Sequence, residues 1–74
     1  MGELMTNKCL EFLNEVETYG YITALERAML QKLITTYPSK DRFSVSVEYR
    51  LVMVECYDGV VYLNIPDVEV HLSR

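Results

Sequence analysis

Glu55, Tyr62 and His71 have the side chains that proton-transfer chemistry needs. If Asp58-Gly59 is a two-residue hairpin loop and Pro66-Asp67 a second tight turn, they fall in one row across three adjacent strands. A carboxylate, a phenol and an imidazole in a row are the parts of a relay. The spacing argues against one. Strands lie about 4.8 Å apart, so Glu55 and His71 would be roughly 9.6 Å from each other, beyond a direct hydrogen bond. No serine or cysteine nucleophile accompanies them, and the row reads as an exposed cross-strand ladder. The sequence also has no glycine-rich phosphate loop and no metal-ligand spacing, so no cofactor and no metal are expected and the chain is read as non-enzymatic. Cys9 and Cys56, the only cysteines, fall in a predicted helix and on the core side of the hairpin. They read as buried free thiols, with a disulfide from helix to sheet as the alternative in an oxidising compartment.

The element that must position these residues is the hairpin from Val52 to Ile65. Asp-Gly between runs rich in valine and tyrosine is a strong hairpin signal, because a two-residue primed turn needs positive φ at both central residues. The implied register sets Tyr57 opposite Val60, Glu55 opposite Tyr62 and Met53 opposite Asn64. One face then carries Val52, Val54, Cys56, Val61, Leu63 and Ile65, which must be the core side. The other carries Met53, Glu55, Tyr57, Val60 and Tyr62. Beyond Pro66-Asp67, Val68 to Leu72 continues the alternation and completes a three-stranded meander.

Two helices precede the sheet. Met5, Cys9, Phe12, Leu13 and Val16 form one apolar stripe, so helix one runs from about Leu4 to Thr18, and Gly20 supplies the left-handed position that lets the chain leave. Thr23 and Glu26 form a capping box for helix two, which spans Ala24 to about Thr36 and stops before Pro38. Its apolar residues are unusually broadly spread. Leu25, Ala28, Met29 and Leu33 make one stripe, and Leu30, Ile34 and Tyr37 a second.

Phe43 to Tyr57 reads as one extended run of about 50 Å, much longer than an ordinary strand. Apolar residues occupy odd positions at Phe43, Val45 and Val47 but even positions at Val52, Val54 and Cys56. A one-residue bulge near Glu48 to Leu51 would return them to one face. The expected architecture is therefore α+β: two N-terminal helices packed on one face of a three-stranded antiparallel meander (ααβββ) with a long bulged first strand, in a single domain over residues 1–74. In that arrangement the arm from Phe43 to Tyr49 lacks a partner, and helix two needs cover on two sides. Both point to a homodimer with Leu30, Ile34, Tyr37, Phe43, Val45 and Val47 at its interface, and a sharper bend that folds the arm back onto its own sheet is the main alternative.

A chain of 74 residues stands only about 4 to 11 kcal/mol above its unfolded state, which also favours a partner. The net charge of −4 has the wrong sign for generic binding to phosphate backbones. Lys8 stands against Glu3, Glu11, Glu15 and Glu17 at the acidic N-terminal end, whereas residues 27–42 hold Arg27, Lys32, Lys40 and Arg42. No apolar run is long enough to span a membrane and no signal-peptide pattern opens the chain, so a cytoplasmic protein is expected. Gly2 and Thr6 fit the spacing of a myristoylation signal, but acidic residues follow where a basic cluster would be needed.

Gly20-Tyr21-Ile22-Thr23-Ala24-Leu25-Glu26, after an amphipathic helix, resembles the opening of a winged helix-turn-helix domain, with the hairpin in place of the wing. That resemblance implies a DNA-binding regulator contacting phosphates through Arg27, Lys32, Lys40, Arg42 and Arg50. The chain departs from the pattern after helix two, where Tyr37 to Arg42 is too short and proline-broken for a recognition helix. The leading expectation is a small acidic protein-binding module, a regulator or inhibitor that occludes a partner. It would use Met53, Glu55, Tyr57, Tyr62 and Glu69, whose acidic and aromatic character suits a basic or nucleic-acid-handling protein.

Overall fold

The structure, a computed structural model, describes residues 2–66. Helix α1 (Gly2–Thr18) and helix α2 (Ala24–Thr36) are followed by strands β1 (Arg42–Val47), β2 (Arg50–Tyr57) and β3 (Val60–Asn64). The strands form one antiparallel sheet in the order β1-β2-β3. The expected ααβββ arrangement is present. No helix among the described residues is long and apolar enough to cross a membrane.

Local chemistry sets the helix ends. Gly20, at φ +83, closes α1 in a Schellman motif: its N–H donates to Glu17 O, and the N–H of Tyr21 reaches back to Val16 O, both at 2.9 Å. Thr23 caps α2. The Glu26 N–H donates to Thr23 Oγ1 at 3.1 Å, and the Thr23 N–H donates to Glu26 Oε1 at 2.8 Å. Ile22, just ahead of the cap, is buried.

The β2–β3 hairpin has the register expected from Asp58-Gly59, with Tyr57 opposite Val60, Glu55 opposite Tyr62 and Met53 opposite Asn64. The long bulged first strand is corrected. Glu48 and Tyr49, at φ +53 and +68, make a second two-residue turn, and the run folds back on itself with Phe43 opposite Val54, Val45 opposite Val52 and Val47 opposite Arg50. A two-residue loop pairs odd positions with even ones, so it restores the apolar side chains to one face as a bulge would. The arm therefore has its partner within the chain. The third strand expected over Val68 to Leu72 lies outside the described residues.

One face of the sheet meets both helices. Cys9, Leu13 and Val16 from α1 and Leu30 and Ile34 from α2 pack with Ile22, Phe43, Val45, Val52, Val54 and Ile65, while Met5, Phe12, Leu33, Cys56, Val61 and Leu63 border this core. Leu30, Ile34, Phe43 and Val45, expected at a dimer interface, are buried by their own chain, whereas Val47 is half-buried and Tyr37 exposed. Of the two observations that called for a second subunit, the unpaired arm is met inside one chain by β2, whereas the second side of α2 stays uncovered among the described residues. Of the two stripes on α2, Leu30 and Ile34 face inward together with Glu26, and Leu25 and Met29 face solvent.

Candidate functional site

The outer face of the sheet is built by the alternation that builds the core. Since Val52 and Val54 point inward, Leu51, Met53, Glu55 and Tyr57 must point outward, and pairing brings Arg42, Ser44 and Ser46 from β1 and Val60, Tyr62 and Asn64 from β3 to the same side. Leu51, Tyr57, Val60 and Tyr62 are exposed, and Met53 is half-buried. Among the described residues nothing is packed over them.

A polar cluster orders this face. The Tyr57 hydroxyl donates to Glu55 Oε2 at 2.6 Å, and Arg42 Nε approaches the same oxygen at 3.2 Å. Arg42 Nη2 donates to the Tyr57 hydroxyl at 3.4 Å, a long contact. The hydrogen bond that Arg42 donates to Tyr57, with a smaller effect of the Glu55 charge, raises the pKa of the Arg42 guanidinium, which stays cationic. Tyr57 and Tyr62 sit diagonally across β2 and β3, with ring centroids 6.0 Å apart and planes at 47°, a tilted aromatic pair. Four of the five partner-contact residues expected from sequence, Met53, Glu55, Tyr57 and Tyr62, share one face; Glu69 lies outside the described residues.

Glu55 is opposite Tyr62 in register, as expected, and its carboxylate is bonded to Tyr57 and Arg42; His71 lies outside the described residues. The chemistry of that face differs from expectation in one way: its described part is less acidic, because Arg42 neutralises Glu55. Sequence reading missed Arg42, since a continuous strand leaves residue 42 far from residue 55. The turn at Glu48-Tyr49 puts them opposite each other. It also stands Tyr49 fully in solvent at the hairpin tip.

Two further features lie away from this face. A groove of about 520 Å³ runs between α2 and β1, lined by Met29, Lys32, Leu33, Tyr37 and Val45 among others, with the Lys40 ammonium 5.0 Å from the centroid of the Tyr37 ring. At the opposite end of α2, Glu26 is 2% exposed and its Oε2 lies 3.2 Å from Arg50 Nε. That contact is ionic and does not meet hydrogen-bond geometry, and Arg50 also donates to the carbonyl of Tyr21. The cations that a DNA-binding reading would use are largely committed. Arg27 is bonded to Glu17 and Gln31, Arg42 to Glu55, and Arg50 to Glu26. The segment after α2 is a turn, with no recognition helix among the described residues.

The thiols of Cys9 on α1 and Cys56 on β2 are in contact, Sγ to Sγ 3.3 Å. Both are free. Burial, with a smaller effect of the neighbouring Cys56 thiol, pushes Cys9 up to about 12. No group of three or more histidine, cysteine or acidic side chains is placed to hold a metal ion among the described residues. Comparison with protein-family models, with curated proteins and with solved structures gives no match for this chain.

Proposed function

We propose that this protein is a non-enzymatic protein-binding module that docks a partner on the outer face of its sheet and acts as a regulator by covering part of that partner. The observation that carries the reading is the contrast between the two sheet faces. One packs against the helices; the other presents Leu51, Tyr57, Val60 and Tyr62 in one layer, around a polar cluster whose charges are internally matched. Tyrosines with one apolar side and one polar end suit an interface, and the Glu55–Tyr57–Arg42 cluster holds one of them in place before binding. With Glu55 neutralised, the partner surface is expected to be apolar and hydrogen-bonding and need not be strongly basic. A second copy of the chain is the competing occupant, and the homodimer stands as a separate proposal on this face.

The test uses the tagged full chain to retain proteins from its native host, with Tyr57→Ala/Tyr62→Ala and Leu25→Ala chains in parallel. A protein retained by the wild type and by Leu25→Ala but lost from the double variant supports the reading. Equal retention by all three chains rejects it. Sedimentation at high micromolar concentration decides the dimer, since a monomer there removes the second copy as occupant.

A further inference from the structure

We infer that Cys9 and Cys56 form a dithiol site that low-molecular-weight disulfides convert to an intrachain disulfide, cross-linking α1 to β2 without changing the fold. This is independent of the binding role proposed above. Residues 47 apart in sequence have been brought to an Sγ–Sγ distance of 3.3 Å by two elements with separate reasons for their positions. Cys9 lies on the apolar stripe of α1 with Leu13 and Val16, and Cys56 on the inward face of β2 with Val52 and Val54. A disulfide bond of about 2.05 Å requires the sulfurs to close by roughly 1.3 Å. Among the described residues no third thiol or metal-ligand cluster competes for either sulfur.

The two thiols differ in access, which assigns an order to the steps. Cys56 is half-buried and Cys9 is buried. The Cys56 thiol loses its proton to solvent, and the thiolate attacks one sulfur of a reagent RSSR. A bond forms between Cys56 Sγ and that sulfur, the reagent's S–S bond breaks, and RS⁻ leaves to be protonated as RSH. Cys9 then gives up its proton and attacks Cys56 Sγ, expelling the second RS⁻. The protein dithiol is oxidised by two electrons, RSSR is reduced to two RSH, and the two protons released by the cysteines are those taken up by the leaving thiolates. The high pKa of Cys9 keeps it from reacting first.

The test treats the folded full-length chain with oxidised glutathione, then measures intact mass, alkylatable thiols, the disulfide-linked peptide and thermal unfolding. The expected product has lost two hydrogen atoms, has no free thiol and contains a Cys9–Cys56 peptide. Its unfolding midpoint is raised by roughly 10 °C or more because a long loop is closed in the unfolded chain, and dithiothreitol reverses the change. The Cys9→Ala chain should stop as a glutathione adduct on Cys56, and Cys9 in the Cys56→Ala chain should stay unreacted while folded. A stable adduct on Cys56 beside a free Cys9 in the wild type overturns the site. So does a disulfide between two chains, or an intrachain disulfide that lowers the midpoint. Ready reaction of Cys9 in the folded Cys56→Ala chain overturns the order of steps.

Discussion

The two hairpins of this sheet share one turn conformation and reach it by different means. At Asp58-Gly59 the residues themselves accept positive φ, glycine freely and aspartate with local help. At Glu48-Tyr49 neither residue favours it, and each non-glycine residue held there costs about 1–2 kcal/mol. What holds the second kind of turn lies outside it. Arg50, the first residue of β2, is tied to Glu26 and to the Tyr21 carbonyl at the start of α2, and Phe43, Val45, Val52 and Val54 are buried directly behind. The β2–β3 hairpin meets the other helix through the Cys9–Cys56 contact. One hairpin is thus specified locally and then touched by α1, while the other is imposed by its contacts with α2.

The largest expected effect comes from removing that imposition. Glu26→Ala deletes half of the capping box and leaves Arg50 without its counter-charge. Because the Arg50 side chain is 34% exposed, the loss should fall below that of a fully buried pair, at about 2–4 kcal/mol in urea unfolding. A loss below about 0.5 kcal/mol would mean that the first hairpin stands without α2. Exchanging turn chemistry comes next. Glu48→Asn with Tyr49→Gly should stabilise the chain by roughly 1 kcal/mol, and Gly59→Ala should destabilise it by a similar amount. The space around Gly59 is open, so the second change isolates backbone strain. If both double and single variants move stability in one direction, the two turns do not differ as described.

Burial of the Cys9 thiol gives a pH-dependent effect. The folded pKa of Cys9, about 12, lies above the ordinary thiol value of 9.0, so in that interval the folded chain keeps a proton that the unfolded chain releases. Its contribution to stability is complete below about pH 9 and is lost as pH rises toward 12. The advantage of the wild type over Cys9→Ala in urea midpoint should therefore narrow between about pH 8 and pH 11, and a constant gap would reject it. The smallest effect is expected at Arg42, whose side chain is 66% exposed. Arg42→Ala should leave the thermal midpoint unchanged within error, because exposed pairs contribute little. A clear drop would show that the outer polar cluster supports the first hairpin as well.

This contrast also explains which parts of the fold were legible in the sequence. Asp58-Gly59, Gly20 and the Thr23/Glu26 box are residue types whose preferred backbone states are the ones adopted, so the second hairpin, the end of α1 and the start of α2 could all be placed. Glu48-Tyr49 could not, because its conformation is set by tertiary packing and the parity of the apolar positions fits a bulge equally well. From that one turn followed the preference for an unpaired arm over a folded-back one, one of the two arguments for a second chain, and the missed approach of Arg42 to Glu55. Glu26 was legible as a cap, but its burial depends on Arg50, which the turn delivers. Most of the outer face was legible because period-2 alternation on β2 and β3 suffices for Met53, Glu55, Tyr57 and Tyr62. That Cys9 and Cys56 touch was not, since periodicity assigns each to a face without fixing how far α1 slides along the sheet.

The sequential strand order carries a kinetic consequence. Each hairpin closes over two residues, so neither waits for a long loop, and the chain should fold faster than sheets built from distant segments. The hairpins should not form together. Asp58-Gly59 can nucleate β2–β3 alone, whereas the Glu48-Tyr49 turn gains its compensation only when α2 has docked. Gly59→Ala should accordingly slow refolding, while relieving strain with Tyr49→Gly should chiefly slow unfolding in stopped-flow measurements. The reverse pattern would place the strained hairpin first.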